Sequence, residues 1–292
     1  MLRERFGEKV YKVTLNGGMS CPNRDGIIGH GGCIFCSEGG SGDFASSSCL
    51  SITDQISAGI EMVSKKIENG KYIAYFQAFT NTYGPIEKLE SLYMEAIHDP
   101  RIVALAIGTR PDCLPPEVLN LLKRLNQIKP VWVELGLQTI HERTARYIRR
   151  GYDLPVFETA VSELRRRGID VIVHTILCLP GETKPDMLQT IQYLNRQDIQ
   201  GIKLQLLHIL KDTDLAEIYA SDPFPVPDPQ EYYELLGSCI SHLRPDIVIH
   251  RLTGDGPKEL LTAPLWTCNK RQVLNQLQSY FKTHDIWQGK EY

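Results

Sequence analysis

The sequence predicts an α/β fold, a partial (β/α)6 TIM-type barrel with a C-terminal extension, and three observations carry that expectation. Apolar, β-rich runs alternate with amphipathic segments along the chain. Runs opening at Tyr72, Ile102, Val131, Asp170 and Gly201 start 30, 29, 39 and 31 residues apart, the length of a βα unit, and repeated units of this kind make a parallel sheet. Six such units are too few for the usual eight-stranded closure, so an open barrel covered by helices is expected.

The first apolar run is Lys9 to Leu15. Ile52, Ile56, Ile60, Val63 and Ile67 follow at steps of four, four, three and four, a single helical stripe. Strands are then expected at Tyr72 to Phe79, Ile102 to Ile107, Val131 to Leu137, Asp170 to Leu177 and Gly201 to His208. Helices fall between them at Ile86 to Ile97, Pro116 to Ile128, Pro155 to Arg167 and Pro185 to Arg196. Several open beside a proline, which the first helical turn tolerates because its missing N–H would have no partner there. The pattern changes near residue 220, so a core of residues 1–220 is expected, with an α/β extension, 221–292, packed on it. The extension opens on the proline-rich Asp222 to Pro229, followed by a helix to Leu243, a strand at Ile247 to Leu252 and a helix at Lys270 to Phe281.

The 292 residues, 42% hydrophobic and 23% charged, suit a soluble globular protein whose core needs no disulfides. A net charge of −3 argues against a uniformly basic nucleic-acid-binding face, though not against a local basic patch. Met1 to Val10 carry Arg3, Glu4, Arg5, Glu8 and Lys9, which leaves no signal-peptide core, and the apolar stretch Val171 to Leu179 is too short to span a bilayer. A cytoplasmic protein without a membrane partner is expected. Its eight cysteines then read as reduced thiols, available for metal or catalysis.

In parallel βα architectures the reactive groups gather where strands end. Behind the first run lies a glycine-rich loop with Cys21, Cys33 and Cys36 spaced C-x11-C-x2-C. The second exit holds Gln77 to Tyr83, the third Gly108-Thr-Arg-Pro-Asp112, the fourth Glu134 to Gln138 and the fifth Leu179-Pro-Gly-Glu-Thr183. Three thiolates suit an iron–sulfur cluster or zinc, with only His30 in the loop as a fourth zinc ligand; unliganded thiols are the third reading. On three cysteines a [4Fe-4S] cubane keeps one iron open to a substrate or cofactor. Cys49, Cys113, Cys178, Cys239 and Cys268 show no second ligand spacing and read as small core residues.

This loop, together with Gly108 to Asp112, Val133 to Thr139, Arg149 to Asp153, His174, Leu179 to Gly181 and Gly201 to Lys203, resembles the radical S-adenosylmethionine (SAM) enzymes. The pattern is most similar to the branch holding the catalytic subunit of Elongator and the bacterial YtqA and YhcC proteins. It runs in order from about residue 15 to 215, and the bacterial likeness continues through His250 to Gly256. That branch lengthens the first cysteine gap and places an aromatic before the last cysteine, matched here by Phe35.

The resemblance implies a [4Fe-4S] cluster on Cys21, Cys33 and Cys36, with S-adenosylmethionine on its open iron and cleavage to a 5′-deoxyadenosyl radical. Phe35, Gln77, Thr109, Arg110, Glu134, Gln138 and Arg150 become candidate cofactor contacts. Some have a plainer alternative: loop core for Phe35, a loop-stabilising ion pair for Thr109 and Arg110 with Asp112, and a solvated helix face for Arg150; His174, on the fifth strand, reads as a core group. The glycine motif common at the second exit is absent, and His208, His250, Arg251 and Asp255 stand at the far strand ends. The resemblance further implies a low-potential electron donor such as flavodoxin or ferredoxin. It also implies a transfer-RNA partner, the reaction turning wobble 5-carboxymethylaminomethyluridine into 5-aminomethyluridine. Arg143, Arg146, Arg149, Arg150 and Arg165 to Arg167 are candidate phosphate contacts. A radical SAM enzyme on a small molecule and a non-catalytic zinc-loop module are the alternatives.

Overall fold

A computed structural model describes residues 2–40, 42, 45–64, 70–254 and 256–292. Seven strands form one sheet: β1 (Val10–Leu15), β2 (Lys71–Phe76), β3 (Ile102–Thr109), β4 (Val131–Gln138), β5 (Asp170–Leu177), β6 (Gly201–Leu206) and, after the two-residue β7 (Ile209–Leu210), β8 (Val248–Arg251). Their order is β1-β2-β3-β4-β5-β6-β8, and the registered pairs are parallel. β9 (Leu261–Ala263) pairs antiparallel with β7. The strand expected within the C-terminal extension thus lies beside β6.

The chain divides into two compact units, residues 1–30, 39–136 and 159–171, and residues 31–38, 137–158 and 172–292. In the first, α2 (Ile52–Ser64), α3 (Ile86–His98) and α4 (Pro116–Ile128) present apolar stripes to the core. Ile52 and Ile56 are buried from α2, Leu89, Tyr93 and Ile97 from α3, and Leu121, Leu122 and Leu125 from α4. The stripe's last member, Ile67, lies outside the described residues. Phe76 and Tyr93 meet edge to face, centroids 4.9 Å apart. Short α1 (Leu2–Phe6) precedes β1.

The second unit holds α5 (Glu142–Tyr147), α7 (Lys184–Leu194), α8 (Asp214–Ser221), α9 (Pro229–His242) and α10 (Lys270–Thr283). α6 (Leu154–Arg165) is shared by both units. α7 and α9 open on reciprocal capping boxes, Thr183 with Asp186 and Asp228 with Glu231, each followed by proline at the first turn. Gly237 in α9 leaves room for Ile286, since a Cβ there would lie 2.7 Å from its side chain. No helix among the described residues is long and apolar enough to cross a membrane.

Candidate functional site

In the first unit the Cys21 turn is built by main-chain bonds, with Arg24 N–H and Asp25 N–H both donating to Cys21 O at 2.8 and 3.3 Å. Gly26 sits at φ 93°, and a Cβ there would press on the His30 ring at 2.7 Å. The second strand exit packs on this turn: Thr80 N–H donates to Ser20 O, and the Arg24 guanidinium lies 5.3 Å from the Phe79 ring centre. The Tyr83 hydroxyl donates to Asp25, which pushes the phenol above its usual range.

Behind this surface Asn81 is buried, its Nδ2 donating to Phe76 O and Gly108 O at 3.1 and 2.9 Å. Thr109 is buried with its hydroxyl 2.5 Å from that of Thr82. Arg110 forms a two-pronged pair with Asp112 at 2.9 and 2.8 Å, the loop-stabilising arrangement. Glu134, 1% exposed in β4, pairs with Lys12 Nζ at 2.6 Å, and the ammonium also lies 4.6 Å from the Tyr75 ring centre. A charge inside an apolar strand needs such a partner. Gln77 is half-buried and continues the strand pairing through its N–H to Leu15 O.

In the second unit Cys33 and Cys36 flank one turn, closed by Cys36 N–H to Cys33 O at 3.0 Å. Ile34 fixes this turn from both sides, donating to Ile148 O at 3.3 Å and accepting from Leu215 N–H at 2.8 Å. Its side chain enters a core with Ile148, Ile176, Leu179, Leu207 and Leu215, and Phe35 packs partly buried against the same core. Cys33 Sγ lies 3.5 Å from Arg149 O. Arg149, at φ 57°, pairs outward with Asp214.

Arg150 does not occupy the solvated helix face that is the plainer alternative for it, because α5 has already ended and the side chain turns inward to 2% exposure. Its guanidinium donates to Tyr152 O, Leu137 O, Thr139 O and Glu142 Oε1, at 3.0, 3.4, 2.7 and 3.0 Å, so it ties the β4 exit to α5. Gln138, the last residue of β4, adopts φ 68°, and its Oε1 is buried without a hydrogen-bond donor among the described residues. At the next exit Glu182 accepts from the Thr139 hydroxyl at 2.5 Å, and burial lifts its carboxyl above the usual range. Thr139 and Glu182 were not singled out as a pair in the sequence, because nothing local relates positions 43 residues apart.

None of the eight cysteines is in a disulfide. Cys21, Cys33 and Cys36 are half-exposed, while burial pushes Cys113, Cys178 and Cys239 up to about 12. Cys49 is exposed and Cys178 and Cys268 half-buried, which corrects their assignment to the core; Cys49 sits in a turn and Cys268 ends the 3-10 helix Leu265–Cys268. Among the described residues no group of three or more His, Cys, Asp or Glu side chains stands at metal-binding spacing. Several candidate phosphate contacts are engaged: Arg166 and Arg167 with Glu163, Arg165 with Asp170 and Arg143 with Gly181 O. His208 lies under the loop of Gly254 and Gly256, and Asp255 falls outside the described residues.

A model of the Radical SAM superfamily matches residues 26–194, and a model of the Radical_SAM C-terminal domain matches residues 199–283. Cys33 and Cys36 fall within the first match and Cys21 precedes it. Uncharacterized protein YtqA of Bacillus subtilis (strain 168) is 43% identical over 289 residues, 99% of this chain and 90% of that relative. The tRNA uridine(34) acetyltransferase of Methanocaldococcus jannaschii is 22% identical over 69% of this chain and 36% of its own length. Among solved structures, the archaeal Elp3 of Methanocaldococcus infernus superposes with a TM-score of 0.72 at 18% identity, covering 96% of this chain and 64% of that one. That likeness shows the fold, the α/β partial barrel expected from the strand spacing.

Proposed function

The chain belongs to the radical SAM superfamily, and from that premise we propose that it carries a [4Fe-4S] cluster on Cys21, Cys33 and Cys36 and modifies a transfer-RNA wobble uridine. The observation that carries the cofactor reading is the Cys33–Cys36 turn, two half-exposed thiols on a backbone pinned at Ile34 from two sides. Soft thiolate donors fit an iron–sulfur group, and the donorless Gln138 Oε1 at the β4 exit fits a cofactor bearing N–H or O–H groups. When bound, the cluster and S-adenosylmethionine supply one-electron cleavage of a sulfonium and hydrogen abstraction from an unactivated C–H bond.

The chain's own residues position that chemistry. Ile34 and Phe35 set the cysteine turn on an apolar core, which limits solvent beneath it. Arg150 and Glu182 hold the β4 and β5 exits in one arrangement, and Arg110 with Asp112 does the same at β3. The RNA reading is supported by the likeness to a relative named for tRNA uridine(34), and by the ordered motif match to the Elongator-like branch. The reaction we assign removes the carboxymethyl portion of 5-carboxymethylaminomethyluridine, leaving 5-aminomethyluridine. A flavodoxin or ferredoxin is the electron donor in this reading.

The test is anaerobic reconstitution with iron and sulfide, reduction, and addition of S-adenosylmethionine and tRNA to wild type and Cys36→Ala. We expect cysteine-dependent 5′-deoxyadenosine and loss of 5-carboxymethylaminomethyluridine from the tRNA. 5′-Deoxyadenosine with unchanged nucleosides would reject the tRNA substrate, and a reconstituted protein that never cleaves the cofactor would reject the radical reading.

A further inference from the structure

The chain carries 35 Asp and Glu residues in 292, yet none falls between Leu260 and His284, the stretch that holds α10. The helix buries Val273 and Leu277 and turns its opposite side to solvent. There Arg271, Asn275, Gln278 and Lys282 are all exposed, and their steps of four, three and four keep them on one line along the axis. Gln272, Gln276, Ser279 and Thr283 form an equally exposed line beside it. Each of these eight side chains carries an N–H or O–H donor, and the two charged ones are cations. Among the described residues neither Arg271 nor Lys282 has a hydrogen-bond or ion-pair partner.

Helix chemistry alone does not account for this face. In α2, α3, α4, α7, α8 and α9 an acidic residue stands in the first turn, where the positive end of the helix dipole favours it. The first turn of α10 has no acid and holds Arg271, a cation at the end where the dipole disfavours one. The acid at i+3 or i+4 that usually neutralises an exposed helix cation is missing from every turn. A small anion cannot answer both charges, because the eleven residues from Arg271 to Lys282 span about 16 Å of helix. A polyanion can. Alongside the same line runs a groove of about 560 Å³ whose lining includes Leu274, Phe281, Ile286 and Trp287; Leu274 and Phe281 stand three positions beyond Arg271 and Gln278. Trp287 is 53% exposed, and the Lys290 ammonium lies 4.5 Å from its ring centre.

We propose that the outer face of α10, with Trp287 beside it, is a surface that grips RNA by its backbone. Cations that track phosphates and an exposed aromatic ring that takes a base are the two parts of such a surface. An acidic protein would match the two cations only, whereas RNA also supplies phosphate and ribose oxygens for Asn275 and Gln278 and a base for Trp287. A lipid surface does not fit, since the line of Arg271, Asn275, Gln278 and Lys282 offers no apolar side chain to insert. The inference rests on the proposed tRNA substrate for which RNA is held. It moves the phosphate contacts from Arg165, Arg166 and Arg167, engaged with Asp170 and Glu163, to α10.

The test titrates the reconstituted full chain into fluorescent full-length tRNA bearing 5-carboxymethylaminomethyluridine, at a series of KCl concentrations. Each phosphate contact contributes about 0.7–0.9 to the slope of log K against log salt. Arg271→Gln combined with Lys282→Gln should flatten that slope by about 1.5 and weaken binding about tenfold at low salt. Trp287→Ala should weaken binding about fivefold at unchanged slope. Lys123→Gln, an exposed position on α4, should change neither. Arg271 opposes the helix dipole and Lys282 suits it, so the double variant should melt as wild type does, which separates a lost contact from a lost fold. A double variant with wild-type slope and affinity, beside a wild type that still removes the carboxymethyl portion, would overturn the inference and leave the tRNA substrate standing. A slope that depends on α10 while the nucleoside stays unchanged keeps the surface and removes that substrate. Wild type that binds no RNA removes both, and displacement of the tRNA by polyglutamate of equal charge overturns RNA in favour of an acidic protein.

Discussion

Arg150 is legible in the sequence as an arginine twelve positions beyond Gln138, and its chemistry is not, because its role depends on where α5 stops. Once the helix ends at Tyr147, the side chain satisfies three main-chain carbonyls and a glutamate. Arg150→Met keeps much of the volume but strips those acceptors, so we expect a loss of about 2–4 kcal/mol in urea unfolding at unchanged m-value. A loss under about 1 kcal/mol would show that water replaces the guanidinium. Glu182 makes the opposite case, a carboxyl whose charge is disfavoured by burial and only partly relieved by Thr139 and Thr144. The folded chain then holds its proton to higher pH than the unfolded chain, where the ordinary value is 4.5, so its contribution to stability falls as pH rises from 4.5 through the raised folded value and is level beyond. Glu182→Gln removes that slope: the variant gains on wild type between pH 4.5 and 8 in paired urea titrations. A difference that stays constant with pH would show that the carboxyl is solvated.

At the scale of elements, every expected strand and each expected helix has a counterpart, because period and length both survive in strongly amphipathic segments. β7 and β9, of two and three residues, and α5, of six, are too short to carry a period, and so were absent from the expectation. β8 was expected as a strand but its place beside β6 was not, since pairing across the 40-odd residues between them is decided by packing and not by local pattern. The site followed the same division. Exits and cysteine turn were visible as punctuation, whereas the Lys12–Glu134 pair joins β1 to β4 over 122 residues, and its only signal was a charge in each of two apolar runs. Capping was partly legible: Asp228-Pro-Gln-Glu231 is a box spelled in sequence, and both of its hydrogen bonds form at 2.9 Å. Asp228→Ala should therefore lower stability by about 1 kcal/mol through α9, whose Tyr232, Leu236, Cys239 and Ile240 are buried. Thermal unfolding measures it, and Asp228→Asn, which keeps an acceptor, should recover most of the loss.

Across the whole molecule, eight cysteines separate into chemical classes by environment, and this gives the cluster assignment a test independent of activity. Thiolate, not thiol, attacks an alkylating reagent, so reactivity requires both access and a proton that leaves. Cys113 and Cys239 fail on both counts, buried and pushed up to about 12 by desolvation, and Cys178, half-buried, fails on the second, pushed up to about 12 as well, so all three should stay unmodified by iodoacetamide at pH 8. Cys49 is exposed and should react in every preparation. Cys21, Cys33 and Cys36 are half-exposed, so they should react in metal-free protein. Reconstitution with iron and sulfide should then protect those three together, because a liganded thiolate is no longer a nucleophile, while the labelling of Cys49 stays as it was. Peptide mass spectrometry of the two preparations reads all eight sites at once. Protection of Cys33 and Cys36 without Cys21 would remove Cys21 from the ligand set, and protection of Cys268 in its place would move the cluster to a different part of the fold. Joint protection, reversed by chelation of the iron, is the outcome expected of a cluster held by Cys21, Cys33 and Cys36.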